Sequence, residues 1–314
     1  MSLKLYRHVD SLPPAERGRS VTIGAFDGLH LGHRVILDRL MQDARAAGRP
    51  ALVCSFEPTP GEVLSPHDPP PRLTCFRERF ELLDAAGIDE FFCPSFRKLR
   101  RLTPQEFVER LLVERLDARH VVVGHDFRFG YGRGGTLDDL RRAGERHGFD
   151  VTVVEPVMLD GERVSSTAIR AALAAGDLEK AKSMLGRDYS MSGRVIRGLG
   201  LGKRLGFPTA NIGLKRRRAP VDGIFAVRVG GLGPKLLDGV ASIGTRPTVG
   251  GGPTLLEVLI FDFDREVYGE HITVHFVKRL REERHFDGLE ALKAQIAVDV
   301  GEARAALRRA APAA

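Results

Sequence analysis

Two histidines three residues apart, inside a glycine-bearing turn, are the first group in this sequence equipped for chemistry. They lie in Gly24-Ala25-Phe26-Asp27-Gly28-Leu29-His30-Leu31-Gly32-His33. Glycines let backbone N–H groups come close to phosphate, and a helix starting at the end of such a turn adds a favourable dipole. His30 and His33 can then meet the same phosphates and stabilise charge developing on the one transferred. A histidine pair at i and i+3 is often structural or a surface accident, so the strand-to-helix context is what favours a phosphate role. Ser165, Ser166, Thr167 and Arg170 follow a strand region and open another helix. The hydroxyls suit a helix cap as well as a ligand, while Arg170, one turn in, is placed to hold a triphosphate. Gly124-His125-Asp126-Phe127-Arg128-Phe129-Gly130 ends a third strand. There Asp126 and an aromatic ring can meet base or ribose, or the segment is simply a glycine-bounded loop with buried phenylalanines.

A different chemistry is suggested between Gly193 and Asn211, where Gly198, Gly200, Gly202, Lys203 and Gly206 precede Pro208, Thr209 and Asn211. Glycines interleaved with lysine and arginine can fold around phosphates, although the spacing is not that of a Walker loop. Thr209 and Asn211 alternate on an extended segment and so face the same way. Two neutral oxygen ligands beside nucleotide phosphates suit Mg²⁺, which completes its shell with phosphate and water. A glycine-rich hairpin with a surface proline turn is the plainer account of the same residues.

These groups need scaffolds, and the hydrophobic pattern supplies two kinds. In the first half, Ser20 to Ala25 reads as a strand. Ile36, Leu37, Leu40, Met41 and Ala44 then recur at helical spacing up to a stop at Gly48, and Ala51 to Phe56 reads as the next strand. Thr103 to Glu106 is a capping box with proline at the first helical position. The strands His120 to Gly124 and Asp150 to Pro156 flank a helix over Leu137 to Arg146. Alternation of this kind predicts a parallel sheet, with ligands at the carboxyl ends of its strands. After about Gly186 the pattern turns to short β runs, among them Gly193–Val195, Phe225–Val229, Leu255–Phe263 and Ile272–Val277. These predict an antiparallel sheet or small barrel. Asp287-Gly288-Leu289-Glu290 is a capping pattern that predicts a last helix through Leu292, Ile296 and Val300.

Composition sets outer bounds. At 314 residues, 43% hydrophobic and 28% charged, the chain has the profile of a globular protein with two domains. No apolar run approaches a membrane span, and the first 20 residues carry no secretory core, so no membrane partner is expected. Three cysteines without CxxC spacing predict reduced, buried thiols and a cytoplasmic location. The net charge of +7 favours an anionic partner, nucleic acid or ATP. Its densest cluster, Lys215 to Arg218, reads most simply as a solvated loop. Base-stacking barrels need exposed aromatics. The chain has no tryptophan and four tyrosines, without aromatic and basic alternation on its barrel strands, so no nucleic-acid partner is expected.

Taken together, Gly24 to His33, Gly124 to Gly130, Ser165 to Arg170 and the Ser55 to Pro60 stretch resemble the nucleotidyltransferase domain of bacterial FAD synthetases. Pro208-Thr209-Ala210-Asn211 is similar to the metal and nucleotide motif of riboflavin kinases. Gly239 to Thr248, with Arg246, resembles their second signature, and Glu257 to Phe263 the strand carrying their catalytic carboxylate. Leu280 to Phe286, with Arg281 and Glu283, resembles the segment that helps close over flavin. The chain departs from the family pattern at His125, Phe225 and Ser242, where an acidic residue, tyrosine and asparagine are commoner.

The resemblance implies a Rossmann-like nucleotidyltransferase domain over residues 1–186, then an antiparallel β-barrel kinase domain over 187–314 with a C-terminal helix. It implies riboflavin, FMN and ATP as small-molecule partners, with ATP and Mg²⁺ as cofactors. Nucleotide would be held by Gly24, Phe26, Asp27, Gly28, His30, Gly32, His33, Asp126 and Ser165 to Thr167 with Arg170, and in the barrel by Gly193 to Asn211. Flavin would be held by Arg246, Arg281 and Glu283. An alcohol nucleophile needs a base, which the resemblance assigns to Glu257. A phosphate nucleophile, already largely dianionic at pH 7, does not. The rival readings are another transferase of the same superfamily with an unrelated barrel, an RNA-binding barrel, and an aminoacyl-tRNA synthetase. They leave Pro208–Asn211 and Glu257 unexplained, and Ser190-Met191-Ser192 lacks the synthetase lysines.

Overall fold

The computed structural model describes residues 2–8, 11–198, 202, 205–245 and 254–310. These form two compact units, Met1–Pro70 with Phe76–Ser165 and Pro71–Cys75 with Ser166–Ala314. Gly200, Lys203 and Arg246 lie outside the described residues.

The first unit is a six-stranded parallel sheet. Its strands are β1 (Lys4–Tyr6), β2 (Arg19–Ile23), β3 (Ala51–Cys54), β4 (Glu90–Phe92), β5 (Ala118–Gly124) and β6 (Asp150–Val154), in spatial order β1-β4-β3-β2-β5-β6. Strands β2 and β3 are buried along their whole length, as strands covered on both faces must be. On one face Val53, Phe91 and Val122 pack with Leu37, Leu40 and Met41 of α1 (Leu31–Ala46). On the other, Leu52, Cys54, Val121 and Val123 pack with Leu111, Leu112 and Leu140. Each such side chain contributes about 1.5–3 kcal/mol on burial. Leu140 belongs to α6 (Leu137–His147).

Three further helices, α2 (Pro60–Leu64), α3 (Phe76–Ala85) and α4 (Phe96–Leu99), were not evident from periodicity. The expected capping box forms at Thr103 and Glu106 and opens α5 (Pro104–Glu106). That helix widens at once into a π-helix, Phe107–Arg115, whose last turn closes from Leu116 N–H to the Leu111 carbonyl. A short hairpin, β7 (Met158–Leu159) and β8 (Glu162–Arg163), completes the unit.

The second unit begins with α7 (Ser166–Ala174) and α8 (Leu178–Leu185), which ends on left-handed Gly186. A closed antiparallel barrel follows. Its strands are β9 (Ser190–Ile196), β10 (Ala210–Gly213), β11 (Gly223–Gly230), β12 (Leu237–Thr245), β13 (Thr254–Ile260) and β14 (His271–Arg281). Strict alternation along β13 sends Leu256, Val258 and Ile260 inward and Leu255, Glu257 and Leu259 outward. Phe225 lies in the interior, edge-on to Phe276 at 5.2 Å. Its departure from tyrosine is therefore away from the outer face.

Helix α9 (Leu289–Arg309) covers Ile224, Ala226 and Val240 with Ala303 and Leu307. Its N-terminus corrects one expectation. The cap is Gly288, at φ 154°, with no side-chain cap bond, so the Asp287–Glu290 pattern is not used as a capping box. The basic run at 215–218 also divides. Lys215, Arg217 and Arg218 are exposed, but Arg216 is buried and donates to the carbonyls of Arg72 and Leu73 and to the Tyr189 hydroxyl.

Candidate active sites

Strand order in the first unit reverses between β2 and β5, so the crevice at their carboxyl ends is the ligand position of an open sheet. The turn Gly24–His30 leaves β2 and the segment Gly124–Gly130 leaves β5, which brings those two expected groups to one end of the sheet. The turn is unusual. Phe26 (φ 48°) and Leu29 (φ 38°) hold left-handed conformations on either side of Gly28 (φ 88°). Each non-glycine residue there costs on the order of 1–3 kcal/mol. Burial of the Phe26 and Leu29 side chains, 2% and 3% exposed, offsets a strain of that size.

His30 caps α1, its Nδ1 accepting the His33 N–H at 3.3 Å. Its remaining ring proton is therefore on Nε2. The two imidazoles stack, 3.7 Å between centroids, and a methyl at Gly32 would lie 3.2 Å from the His30 ring. Burial, and then the neighbouring His30, hold His33 well below the usual histidine range. The buried Nδ1 of His33 has no hydrogen-bond partner among the described residues. A buried polar atom left open in this way, beside a neutral ring, is suited to an arriving phosphate. Asp126 pairs with Arg163 at 2.8 Å. Its partial burial would raise its pKa, but the Arg163 hydrogen bond and charge outweigh that and lower it.

Sequence reasoning missed Arg79. This residue of α3 is 2% exposed, and its guanidinium donates to the Ala25 and Phe56 carbonyls, Ser55 Oγ and the Glu57 carboxylate. One signal was available. Phe76, Arg79, Phe80 and Leu83 share one helical face, which puts a cation in an apolar stripe.

Ser166, Thr167 and Arg170 stand in the first turns of α7 in the second unit, where Arg170 Nε donates to the Pro71 carbonyl at 2.7 Å. Ser165 immediately precedes the helix, in the first unit.

On the barrel, the register pairs Glu257 of β13 with Asn211 of β10 on one side and Ser242 of β12 on the other. Directly paired residues share a face, so the carboxylate, carboxamide and hydroxyl form a row on the outer surface. Ser242 donates to Glu283 at 3.1 Å, which brings a second carboxylate to that row. Glycines floor it. A methyl at Gly198 would strike the Asn211 carboxamide, one at Gly202 would reach Thr209 Oγ1 at 3.0 Å, and one at Gly244 would strike the Glu283 carboxylate. Thr209 and Asn211 thus project hard oxygen atoms into a cradle that a Cβ would fill. That donor set fits a divalent cation carried on nucleotide phosphates. No cluster of three or more His, Cys, Asp or Glu suited to a metal occurs among the described residues. Arg281 is engaged elsewhere. It makes a bidentate pair with buried Asp299, at 2.8 and 2.7 Å, and lies over the Phe286 ring. Gly193 is in β9, and Gly206 (φ 86°) and Pro208 precede β10.

Comparison with known proteins follows this division of the chain. A family model described as FAD synthetase matches residues 12–168, and one described as riboflavin kinase matches residues 185–307. The curated bifunctional riboflavin kinase/FMN adenylyltransferase of Escherichia coli K12 is 45% identical over 96% of this chain and 97% of its own. The chain belongs to the bifunctional riboflavin kinase/FMN adenylyltransferase family. The relative of that name from Pseudomonas fluorescens is also 45% identical, over 96% and 97% of the two chains. That from Haemophilus influenzae is 39% identical over 96% and 99%. A solved structure from Streptococcus pneumoniae, described as a macrolide-efflux protein, superposes with a TM-score of 0.81 at 29% identity, covering 97% of this chain and 99% of that one. No helix among the described residues of this family member is long and apolar enough to cross a membrane.

Proposed function

We propose that this chain converts riboflavin to FMN with ATP on the barrel of its second unit, and FMN to FAD with a second ATP at the strand-to-helix turn. The observation that carries the reading is the outward row Asn211–Glu257–Ser242, a carboxylate fixed by register beside oxygen ligands in a glycine cradle. The proposed domain join is at residues 186/187, at the left-handed cap of α8 and just inside the riboflavin kinase match, which begins at residue 185.

In the kinase step, Glu257 accepts the proton of the ribityl 5′-hydroxyl as its oxygen attacks the γ-phosphorus of ATP, and ADP leaves. Thr209 and Asn211 are the proposed protein ligands of a Mg²⁺ ion. When bound, it supplies charge neutralisation on the β- and γ-phosphates. Gly198 and Gly202 keep those two side chains against the backbone, and Gly193, Gly200, Lys203, Gly206 and Pro208 shape the phosphate loop. Arg246 and Glu283 contact flavin, with Arg281 holding that side of the site through Asp299.

In the adenylyl step, the FMN phosphate attacks the α-phosphorus of ATP and pyrophosphate leaves, with no covalent enzyme intermediate. Its dianion needs no protein base. His30 and His33 stabilise the transferring phosphate, and Gly24, Phe26, Asp27, Gly28 and Gly32 shape the turn around it. Asp126 contacts the nucleoside, while Ser165, Ser166, Thr167 and Arg170 hold the leaving phosphates. Chromatographic assay of riboflavin, ATP and Mg²⁺ tests both halves. Wild type should form FMN, then FAD. Glu257→Ala should form neither from riboflavin yet convert supplied FMN, and His30→Ala/His33→Ala should stop at FMN. Folded wild type that leaves riboflavin untouched removes the kinase assignment.

A further inference from the structure

A guanidinium as buried as that of Arg79 is expensive, since an uncompensated charge in the interior costs several kcal/mol. Its partners show what this one secures. Arg79 Nη1 donates to the Ala25 carbonyl at 2.9 Å and to Ser55 Oγ at 3.2 Å, and Ser55 Oγ donates to the same Ala25 carbonyl at 3.1 Å. Nη2 holds the Phe56 carbonyl at 3.1 Å and the Glu57 carboxylate at 3.0 Å. One side chain therefore ties the phosphate turn after β2 to the chain leaving β3.

The Ala25 carbonyl belongs to the peptide joining Ala25 to Phe26, the residue that holds a left-handed φ of 48°. That peptide is trans, so its C=O and N–H point in opposite directions. With the carbonyl drawn toward the buried Arg79 guanidinium and Ser55 Oγ, the Phe26 N–H points the opposite way, away from those two donors. Without Arg79, Ser55 Oγ is the remaining side-chain donor to the Ala25 carbonyl among the described hydrogen bonds.

We propose that Arg79 is a positioning residue for adenylyl transfer, fixing the 25–26 peptide so that the Phe26 N–H meets the transferring phosphate. The inference rests on the adenylyltransferase reading of this turn. Arg79 touches no substrate, and it acts through the backbone donor. Lysine keeps the charge but cannot reach the Ala25, Ser55, Phe56 and Glu57 oxygens in one fork. Because a misaimed donor fails most where charge develops, the loss should fall on kcat, with ATP binding little changed.

The test uses the full chain with Arg79→Lys and Ser55→Ala, measuring FAD formation from FMN and riboflavin phosphorylation on each preparation. For Arg79→Lys, kcat for FAD formation should fall about 10- to 100-fold, less than the roughly 100- to 1,000-fold for removing an aimed donor outright, because the donor is misaimed and not lost. The KM for ATP should stay within threefold and phosphorylation within twofold. Ser55→Ala, losing one of two holds on the same carbonyl, should lower kcat by at least threefold. Adenylylation kcat within twofold of wild type in a folded Arg79→Lys chain, or a loss confined to KM, overturns the proposal. If Arg79→Lys misfolds, seen as equal loss of both activities, Ser55→Ala decides, and an unchanged kcat there overturns it. Wild type that phosphorylates riboflavin but makes no FAD from FMN would instead remove the underlying reading.

Discussion

The glycine floor of the barrel site allows a sharp perturbation. A methyl group added at Gly198 would sit 2.5 Å from Asn211 Cγ and closer still to Nδ2, where ordinary contact begins near 3.4 Å. The carboxamide must therefore retreat by at least about 0.9 Å, taking the difference of those two distances. Asn211 is 8% exposed and has a short side chain, so it cannot swing away without leaving the row it shares with Glu257. Misplacing a reacting group by about 1 Å costs on the order of 100-fold in rate. Gly198→Ala is expected to lower kcat/KM for riboflavin phosphorylation by about that factor and to raise the Mg²⁺ concentration needed for half-maximal rate. FAD formation from supplied FMN should be unaffected, because the turn after β2 makes no use of this strand. Steady-state kinetics of each half-reaction across a Mg²⁺ titration give the answer. A folded Gly198→Ala chain that phosphorylates riboflavin within threefold of wild type would refute the placement of Asn211 in the metal site.

Other consequences are simpler to read. Asp299→Ala strips partly buried Arg281 of both its carboxylate bonds and should destabilise the second unit by up to about 3–5 kcal/mol, measured as a shift in its urea unfolding. His33, whose pKa is lowered in the folded chain, stays neutral there while the unfolded chain protonates near pH 6.5. Its contribution to stability is thus full above pH 6.5 and lost as pH falls below it, with a slope of at most about 1.4 kcal/mol per pH unit. The stability difference between wild type and His33→Gln should shift against wild type on acidification from pH 7.5 to 5.5, and a pH-independent difference would count against a buried neutral imidazole. Cys54, Cys75 and Cys93 are all buried, and burial pushes the Cys54 thiol up with Cys93 adding to it. A thiol reagent should therefore label none of them until denaturant is added.

Much of this was legible in the chain because local rules and global fold agree. The turn at 24–33, the capping box at Thr103 and the alternation along β13 each satisfy one short-range principle, and the fold respects them. One edge of the sheet was not legible, because β1 and its neighbour β4 are three residues each and carry no period. Their place is set by pairing with each other and with β3, which is information the local sequence lacks. Asp287–Glu290 satisfied a local rule that the fold overrode, since the entry into α9 is made by Gly288 at a φ near 154°. Arg79 and Arg216 illustrate a third case. Both look like surface arginines, yet each is committed to backbone carbonyls distant in sequence, 54 residues away for Arg79 and 144 for Arg216. A buried cation becomes visible in sequence only where it interrupts an apolar stripe, as Arg79 does and Arg216 does not.

The glycines of the two sites separate into two kinds with different physical reasons. Gly28 and Gly206 have φ of 88° and 86°, a backbone conformation that side chains resist, and a methyl at Gly206 would meet nothing. Gly32, Gly198, Gly202 and Gly244 have no such φ, so alanine would suit their backbones. What stands against alanine is a close neighbour at each: the His30 ring at Gly32, the Asn211 carboxamide at Gly198, the Phe207 carbonyl and then Thr209 at Gly202, and the Glu283 carboxylate at Gly244. In both units, then, polar side chains are held against bare backbone, which has no rotamers to exchange. Gly198 and Gly202 are thus fixed by close neighbours, whereas Gly206 is fixed by its φ. On the proposed roles, the kinase side uses a carboxylate fixed by strand register, while the adenylyl side uses two imidazoles and aimed N–H groups. A hydroxyl nucleophile must lose a proton to a base of fixed position, whereas a phosphate dianion needs only its approach directed and its charge met.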